Sequence, residues 1–131
     1  MARNRQTVVY LDTHVVVWLF AGLVNKFTNT AKRAIDDSDL FVSQIVRLEL
    51  QYLYEIGRIK IKPDRIIKTL SKSIHLKLSD VAMGQIIDEA LQINWTRDTF
   101  DRLIVAEVKV SKHNLISADK NIQSNFKQTI W

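Results

Sequence analysis

Four carboxylates stand where a folded chain could bring them together: Asp12 in "VVYLDTH", Glu49 in "VRLEL", Asp101 in "RDTFDRL" and Asp119 in "NLISAD". Each also has a plain structural explanation. Aspartate after a strand is a good N-cap for the next helix, which would account for Asp12 and Asp119. Asp98 and Asp101 are spaced like a capping box with Asp in place of Glu, and both suit the positive end of a helix dipole. Glu49 is different. At about 100° per residue it falls near the middle of an apolar face made by Ile45, Leu48, Tyr52, Leu53 and Ile56, whereas Glu55 falls at the edge. An ionised carboxylate seldom occupies such a face unless it is paired or metal-bound. A buried Arg or Lys partner, or a face open to water at one end, would also satisfy it. Asp101 flanks the apolar residues Ile104, Val105 and Val108, but Glu107 lies among Leu103, Ile104 and Val110, so periodicity does not separate the two.

Several carboxylates at one point repel unless protons or cations neutralise them. An all-oxygen donor set, with no cysteine and only scattered histidines, favours Mg²⁺ or Mn²⁺ over zinc. A hard cation in such a site activates water and stabilises the oxygens of an in-line displacement at phosphorus. The chemistry implied is phosphodiester hydrolysis.

The elements that must position these acids follow from local pattern. "TVVYL" and "LFVS" are short β-branched and aromatic runs suited to buried strands. "QIVRLELQYLYEIGRI" reads as a helix closed by Gly57, and "KPDRIIKTLSKS" as another with Pro63 in its first turn. "IHLKLS" alternates like a half-exposed strand. "DVAMGQIIDEALQI" and "DTFDRLIVAEVKVSK" are two further helices, "NLIS" is a strand and "QTIW" a last short one. The resulting order, β-α-β-α-α-β-α-α-β-α-β, predicts an α/β fold with a mainly parallel sheet covered by helices. Active sites in such folds lie beyond the carboxyl ends of the strands, where Asp12 and Asp119 stand.

With 131 residues, 47% of them hydrophobic, and no internal linker or repeat, the expectation is one ordered domain over residues 1–131. The absence of cysteine excludes disulfides and thiolate chemistry, and fits a cytoplasmic protein. The N-terminal "MARNRQTVVYLDTHVVVWLFAGLV" has Asp12 and His14 inside its apolar run. It reads as a strand entering a helix, not as a signal peptide or membrane span. A net charge of +5 allows a nucleic acid or an acidic protein as partner.

The segments "VVYLDTHVVVWL", "VSQIVRLELQYLYEIGRI", "RDTFDRLIVAE" and "NLISAD" occur in the order and spacing of PIN-domain proteins, and the chain resembles the VapC-type toxins of type II toxin–antitoxin systems from about Val8 to Asp119. The resemblance implies a PIN-like (Rossmann-like) three-layer α/β/α sandwich. It implies Mg²⁺- or Mn²⁺-dependent endoribonuclease activity, often on structured RNA such as transfer RNA, with Asp12, Glu49, Asp101 and Asp119 as catalytic metal-binding acids. Asp98 matches an additional acidic position, and Thr13 and Ser117 match polar positions beside the metal. The implied partners are a cognate antitoxin and a second copy of the chain, with a larger hetero-oligomer when antitoxin is bound. "RDTFDR" departs from the usual "RDPFDR", which predicts a less rigid helix start with the acids untouched.

Other residues carry weaker signals. Arg47, Arg97 and Arg102 lie near the acids in sequence and could bind RNA phosphate or neutralise the carboxylates. His14 reads as structural, and His75 and His113 as surface residues. Trp18, Trp95 and Trp131 read as core or interface anchors. The basic run "GRIKIKPDRIIKTLSK" is a candidate RNA or partner surface. Two other functions compete: an aspartate-nucleophile phosphatase, which would want a second Asp where His14 stands, and a non-catalytic PIN-like module whose acidic groove receives a basic partner tail.

Overall fold

The fold is built outward from Val8–Leu11 (β1), whose β-branched and aromatic side chains are buried on both faces, as a central parallel strand requires. The structure, a computed structural model, describes residues 7–131; the beginning of the N-terminal segment, residues 1–6, lies outside the described residues. After β1 come Thr13–Ala21 (α1), a 3₁₀ turn at Val24–Lys26, Asn29–Asp37 (α2), Asp39–Val42 (β2), Gln44–Glu55 (α3), Pro63–Ile74 (α4) and Lys77–Leu78 (β3). Met83–Ala90 (α5), Thr99–Ser111 (α6), Asn114–Ile116 (β4), Lys120–Asn125 (α7) and Thr129–Ile130 (β5) complete the chain. The five strands form one sheet in the order β3-β2-β1-β4-β5, every neighbouring pair parallel. Helices flank it, giving the expected α/β/α arrangement.

The order differs from the sequence expectation in one respect: two helices, not one, join the first two strands. Gly22 takes a left-handed φ of 71° that ends α1, and the Thr28 side chain accepts from Ala31 N to start α2. The expected strand "IHLKLS" also shrinks to Lys77–Leu78, because α4 runs on to Ile74 and His75 caps it with φ 59°.

Strand order reverses between β1 and β4, the topological switch point where the chain leaves β1 for both sides of the sheet. Leu11 is in register with Ile116, and Asp12 N donates to Ile116 O at 3.0 Å. The ends of β1 and β4, and the acids that follow them, are thereby fixed side by side.

On α3 the buried stripe is Ile45, Val46, Glu49 and Leu50, turned by about 60° from the face that the apolar pattern suggested. Leu48 (60% exposed), Tyr52 (48%) and Ile56 (49%) form an outward apolar stripe instead. Glu49 belongs to both arcs, so its inward position does not depend on which was chosen. A second outward stripe, Met83, Ile87 and Leu91, runs along α5 and its C-cap.

Glu107 lies inside the core at 2% exposure. It accepts from Ser43 Oγ at 2.8 Å and from Ser79 Oγ, so one α6 side chain holds the residues that follow β2 and β3. Ser43 is also the N-cap of α3, accepting from Ile45 N. Glu107→Ala should therefore lower the free energy of unfolding by about 2–4 kcal/mol, through a cavity and the loss of the acceptor for Ser43, while Ser79 keeps Val42 O. Glu107→Gln, which keeps an acceptor, should cost less than half as much. Urea unfolding of the two variants checks the ranking, and equal losses would contradict it.

Candidate active site

Asp12 is the buried anchor of the site. Its Oδ1 accepts from Thr13 N at 2.8 Å, which caps α1, and its Oδ2 accepts from Ser117 Oγ at 2.6 Å. Ser117 follows β4, so this bond ties the two strand ends across the switch point. Thr13 Oγ1 donates to Glu49 Oε1 at 2.5 Å, linking α1 to α3. Asp98 caps α6 by accepting from Asp101 N at 2.9 Å, which sets the start of that helix and thus the direction of Asp101. Asp119 caps α7 by accepting from Ile122 N at 3.0 Å, while its own N–H donates to Ser117 Oγ. Capping and site building are one arrangement here: the bonds that start three helices also orient three of the acids.

The electrostatics show which acids the fold brings into range of one another. Burial raises the Asp101 carboxyl to about 8 from 3.8, and Asp12, Asp98, Asp119 and Glu49 push in the same direction. Burial likewise raises Glu49, against the lowering bond from Thr13, with Asp12 and Asp98 adding to the rise. Asp12 is raised by burial too, opposed by its bonds from Ser117 and Thr13, while Asp119 adds to the rise. Among the described residues, no lysine or arginine forms an ion pair with any of the five. Asp12 and Glu49 are thus buried and Asp101 partly so, with the exposed Asp98 and Asp119 beside them and little positive charge to offset the group.

The side chains are coupled but not closed on one point. Among the described residues, no three acid or histidine groups stand close enough together to hold one ion as they are placed. Asp12, Glu49, Asp98 and Asp119 each turn an oxygen toward a hydroxyl or a backbone amide. The donor set nonetheless suits a hard divalent cation. It is all oxygen, it is partly desolvated, and bringing in positive charge would relieve the repulsion that raises Asp101.

A small pocket of about 150 Å³ opens at this edge, lined by Asp12, His14, Trp18, Ala118 and Asp119. His14, expected from its setting to be structural, is exposed on the rim and favours the charged forms of both Asp12 and Glu49. Its position two residues after Asp12, on the first turn of α1, was the available signal. A larger cleft of about 430 Å³ lies between α3 and α4 and is lined by none of the five acids.

Among the described residues, none of the three arginines pairs with these acids. Arg47 is held by Gln44 Oε1 and by Asp64 Oδ1, on the outer side of α3. Arg102 Nε donates to Ala90 O at 2.8 Å, and the exposed Arg97 reaches Asn94 O. Glu107 sits with the two serines described above. His75 is exposed, as expected, but His113 is half-buried and stacks on Tyr10 at 6.2 Å. Trp18 and Trp131 pack together with Phe27 in one aromatic group.

Comparison with known proteins identifies the family. The PIN domain family model matches residues 9–127, and the chain belongs to that family. Among solved structures it is similar to VapBC2 from Rickettsia felis bound to a promoter DNA fragment, with 18% identity, TM-score 0.64, and 90% of this chain and 92% of that one covered. It is similar also to a toxin–antitoxin complex from Klebsiella pneumoniae, with 16% identity, TM-score 0.65, and 94% and 96% covered. A third, VapBC-1 from nontypeable Haemophilus influenzae, has 15% identity, TM-score 0.54, and 93% and 92% covered. No curated protein matches the chain in sequence.

The raised carboxyls have a consequence for stability. A group whose folded pKa lies above its unfolded value stabilises the fold at low pH and loses that contribution as pH rises through the folded value. For Asp101 the window runs from 3.8 to about 8. The melting temperature of the metal-free protein should fall across this window, and Asp101→Asn should flatten the fall. A melting temperature that climbs steadily toward pH 8 would contradict the placement of Asp101.

Proposed function

We propose that the protein is a VapC-type toxin, a divalent-metal-dependent endoribonuclease that hydrolyses phosphodiester bonds of structured RNA such as transfer RNA. One observation carries this reading: five carboxylates crowd the switch point of a parallel sheet, and Asp101 is raised to about 8 by burial and by the other four. Asp12, Asp101 and Asp119 would hold Mg²⁺ or Mn²⁺ directly or through water. When bound, the cation supplies positive charge beside the scissile phosphate and lowers the pKa of water. Thr13 fixes Glu49 through Oε1, leaving Oε2 to orient the attacking water or take its proton. Ser117 keeps Asp12 from turning away, and Asp98 serves the site by fixing the start of α6.

The partners proposed are a cognate antitoxin and a second copy of the chain, assembling into a larger hetero-oligomer. Two observations support protein partners: the exposed stripes of α3 and α5, and the toxin–antitoxin complexes among the structural neighbours. One domain acting in the cytoplasm fits these proposals; among the described residues, no helix is long and apolar enough to cross a membrane.

The spread of the acid side chains favours a second reading, a non-catalytic module whose acidic groove receives a basic tail. RNA cleavage with and without Mn²⁺ separates the two. Glu49→Gln should reduce the cleavage rate about 10²–10⁴-fold, the range for loss of a general base. Asp12→Asn and Asp101→Asn should abolish cleavage while the variants remain folded by circular dichroism. Metal-dependent cleavage that survives Asp101→Asn contradicts the role given to Asp101, and a parent protein that cleaves no RNA with Mn²⁺ contradicts the nuclease reading.

A further inference from the structure

The charge of the chain is concentrated in one short stretch. Between Arg58 and Lys77, seven lysines and arginines face a single acid, Asp64. That is a net +6 in a chain whose total is +5, so all other residues together carry −1. All seven are exposed. Asp64 pairs with Arg47 of α3, and the only other ion pair between described residues is Lys109–Glu89, so the tract's own cations stay without a carboxylate within pairing distance.

The fold gives this charge a direction. α4 is followed by β3, which runs parallel to the rest of the sheet, so α4 begins near the carboxyl edge where the acids lie. It packs against α1 and α3, the helices that carry Thr13 and Glu49. From there Arg65, Lys68 and Lys72 fall within about 60° of one another on its outer side. They span about 10 Å of helix, comparable to three nucleotides of a strand at about 3.4 Å each. With Asp64 and Thr69 they border a shallow depression of about 310 Å³.

The chemistry of this face selects its partner. Of the apolar residues of α4, Pro63, Ile66, Ile67 and Leu70 are buried and Ile74 is partly buried, packed against the core. The outer side therefore offers cations and hydroxyls without an aromatic or aliphatic anchor. Protein interfaces draw most of their binding energy from such anchors, and membrane-surface helices need an exposed apolar side. A phosphate backbone needs neither, since neutralising it and releasing its counterions supplies the affinity.

Resting on the nuclease reading, we propose that the outer face of residues 58–77 is a backbone-binding track. It would hold the RNA strand flanking the scissile bond, independently of base sequence, and lead it to the acidic edge.

The test uses the full chain carrying Asp12→Asn, so that RNA is bound but not cut. Binding of a fluorescein-labelled oligouridylate is followed by anisotropy over a range of salt concentrations. Replacing Lys60, Arg65 and Lys68 together with Gln should weaken binding about tenfold or more. It should also lower the slope of log K against log salt by about 2, at about 0.7 for each phosphate of a single strand that is no longer neutralised. The charge-keeping variant K60R/R65K/K68R should bind like the parent, as should Gln at Lys109, Lys112 and Lys127 on other surfaces. An unchanged slope in the Lys60/Arg65/Lys68 variant overturns the proposal. So does a loss confined to binding of an acidic protein partner, which would assign the face to that partner. If the chain with Asp12 intact cleaves RNA with Mn²⁺ but the slope is unchanged, only the track fails; if that chain neither binds nor cleaves RNA, the nuclease reading fails with it.

Discussion

Repulsion among like charges, three of them held wholly or partly out of water, is the constraint on which the site depends. Asp12, Glu49, Asp98, Asp101 and Asp119 come from three helix N-caps and two helices, and Asp101 feels all the others. Charges so placed would swing toward solvent if nothing held them. Four are held by hydrogen bonds that the fold needs for another reason: Asp12, Asp98 and Asp119 cap helices, and Glu49 takes the hydroxyl of the first residue of α1. The energy of helix initiation, about 1 kcal/mol per cap, thus helps to oppose the repulsion. The register Leu11–Ile116 and the bond from Ser117 to Asp12 then keep the two central turns from separating.

Much of this was legible in the sequence, because the relevant signals are local. Strand runs followed closely by Asp indicated the placement of Asp12 and Asp119, and the spacing of Asp98 and Asp101 indicated the cap. The glutamate of α3 was found for a reason that proved only half right. Glu49 is buried as expected, but Leu48, Tyr52 and Ile56 are not, since a helix with apolar residues around most of its girth does not declare which arc the core will choose. Glu107 shows the converse limit. Periodicity placed it and Asp101 equally inward, and only the tertiary structure separates a residue bonded to two serines from one among carboxylates. The second helix before β2 was missed because Asn29–Asp37 is short and mostly polar, with only Ala31, Ala34 and Ile35 apolar, and the stop at Gly22 and the cap at Thr28 that separate it from α1 were passed over.

The distribution of charge complements that of the fold. The carboxyl edge of the sheet gathers acids, while the stretch through α4 carries more positive charge than the chain as a whole. Of the two apolar stripes, the one on α3 meets the basic tract, since Leu48 lines a cleft together with Lys62 and Pro63, and the other runs along α5. Glu107 contributes from within, holding the N-cap of the helix that carries Glu49 to the helix that carries Asp101.

The crowding of carboxylates is tested most directly by calorimetric titration of Mn²⁺ into the protein at neutral pH, in two buffers of different ionisation enthalpy. A carboxyl raised to about 8 is largely protonated there, and its recruitment as a ligand must expel the proton. Binding should release about one proton per chain, and Asp101→Asn should remove that release along with most of the affinity. Mn²⁺ binding with no proton release, or binding that Asp101→Asn leaves unchanged, would contradict it.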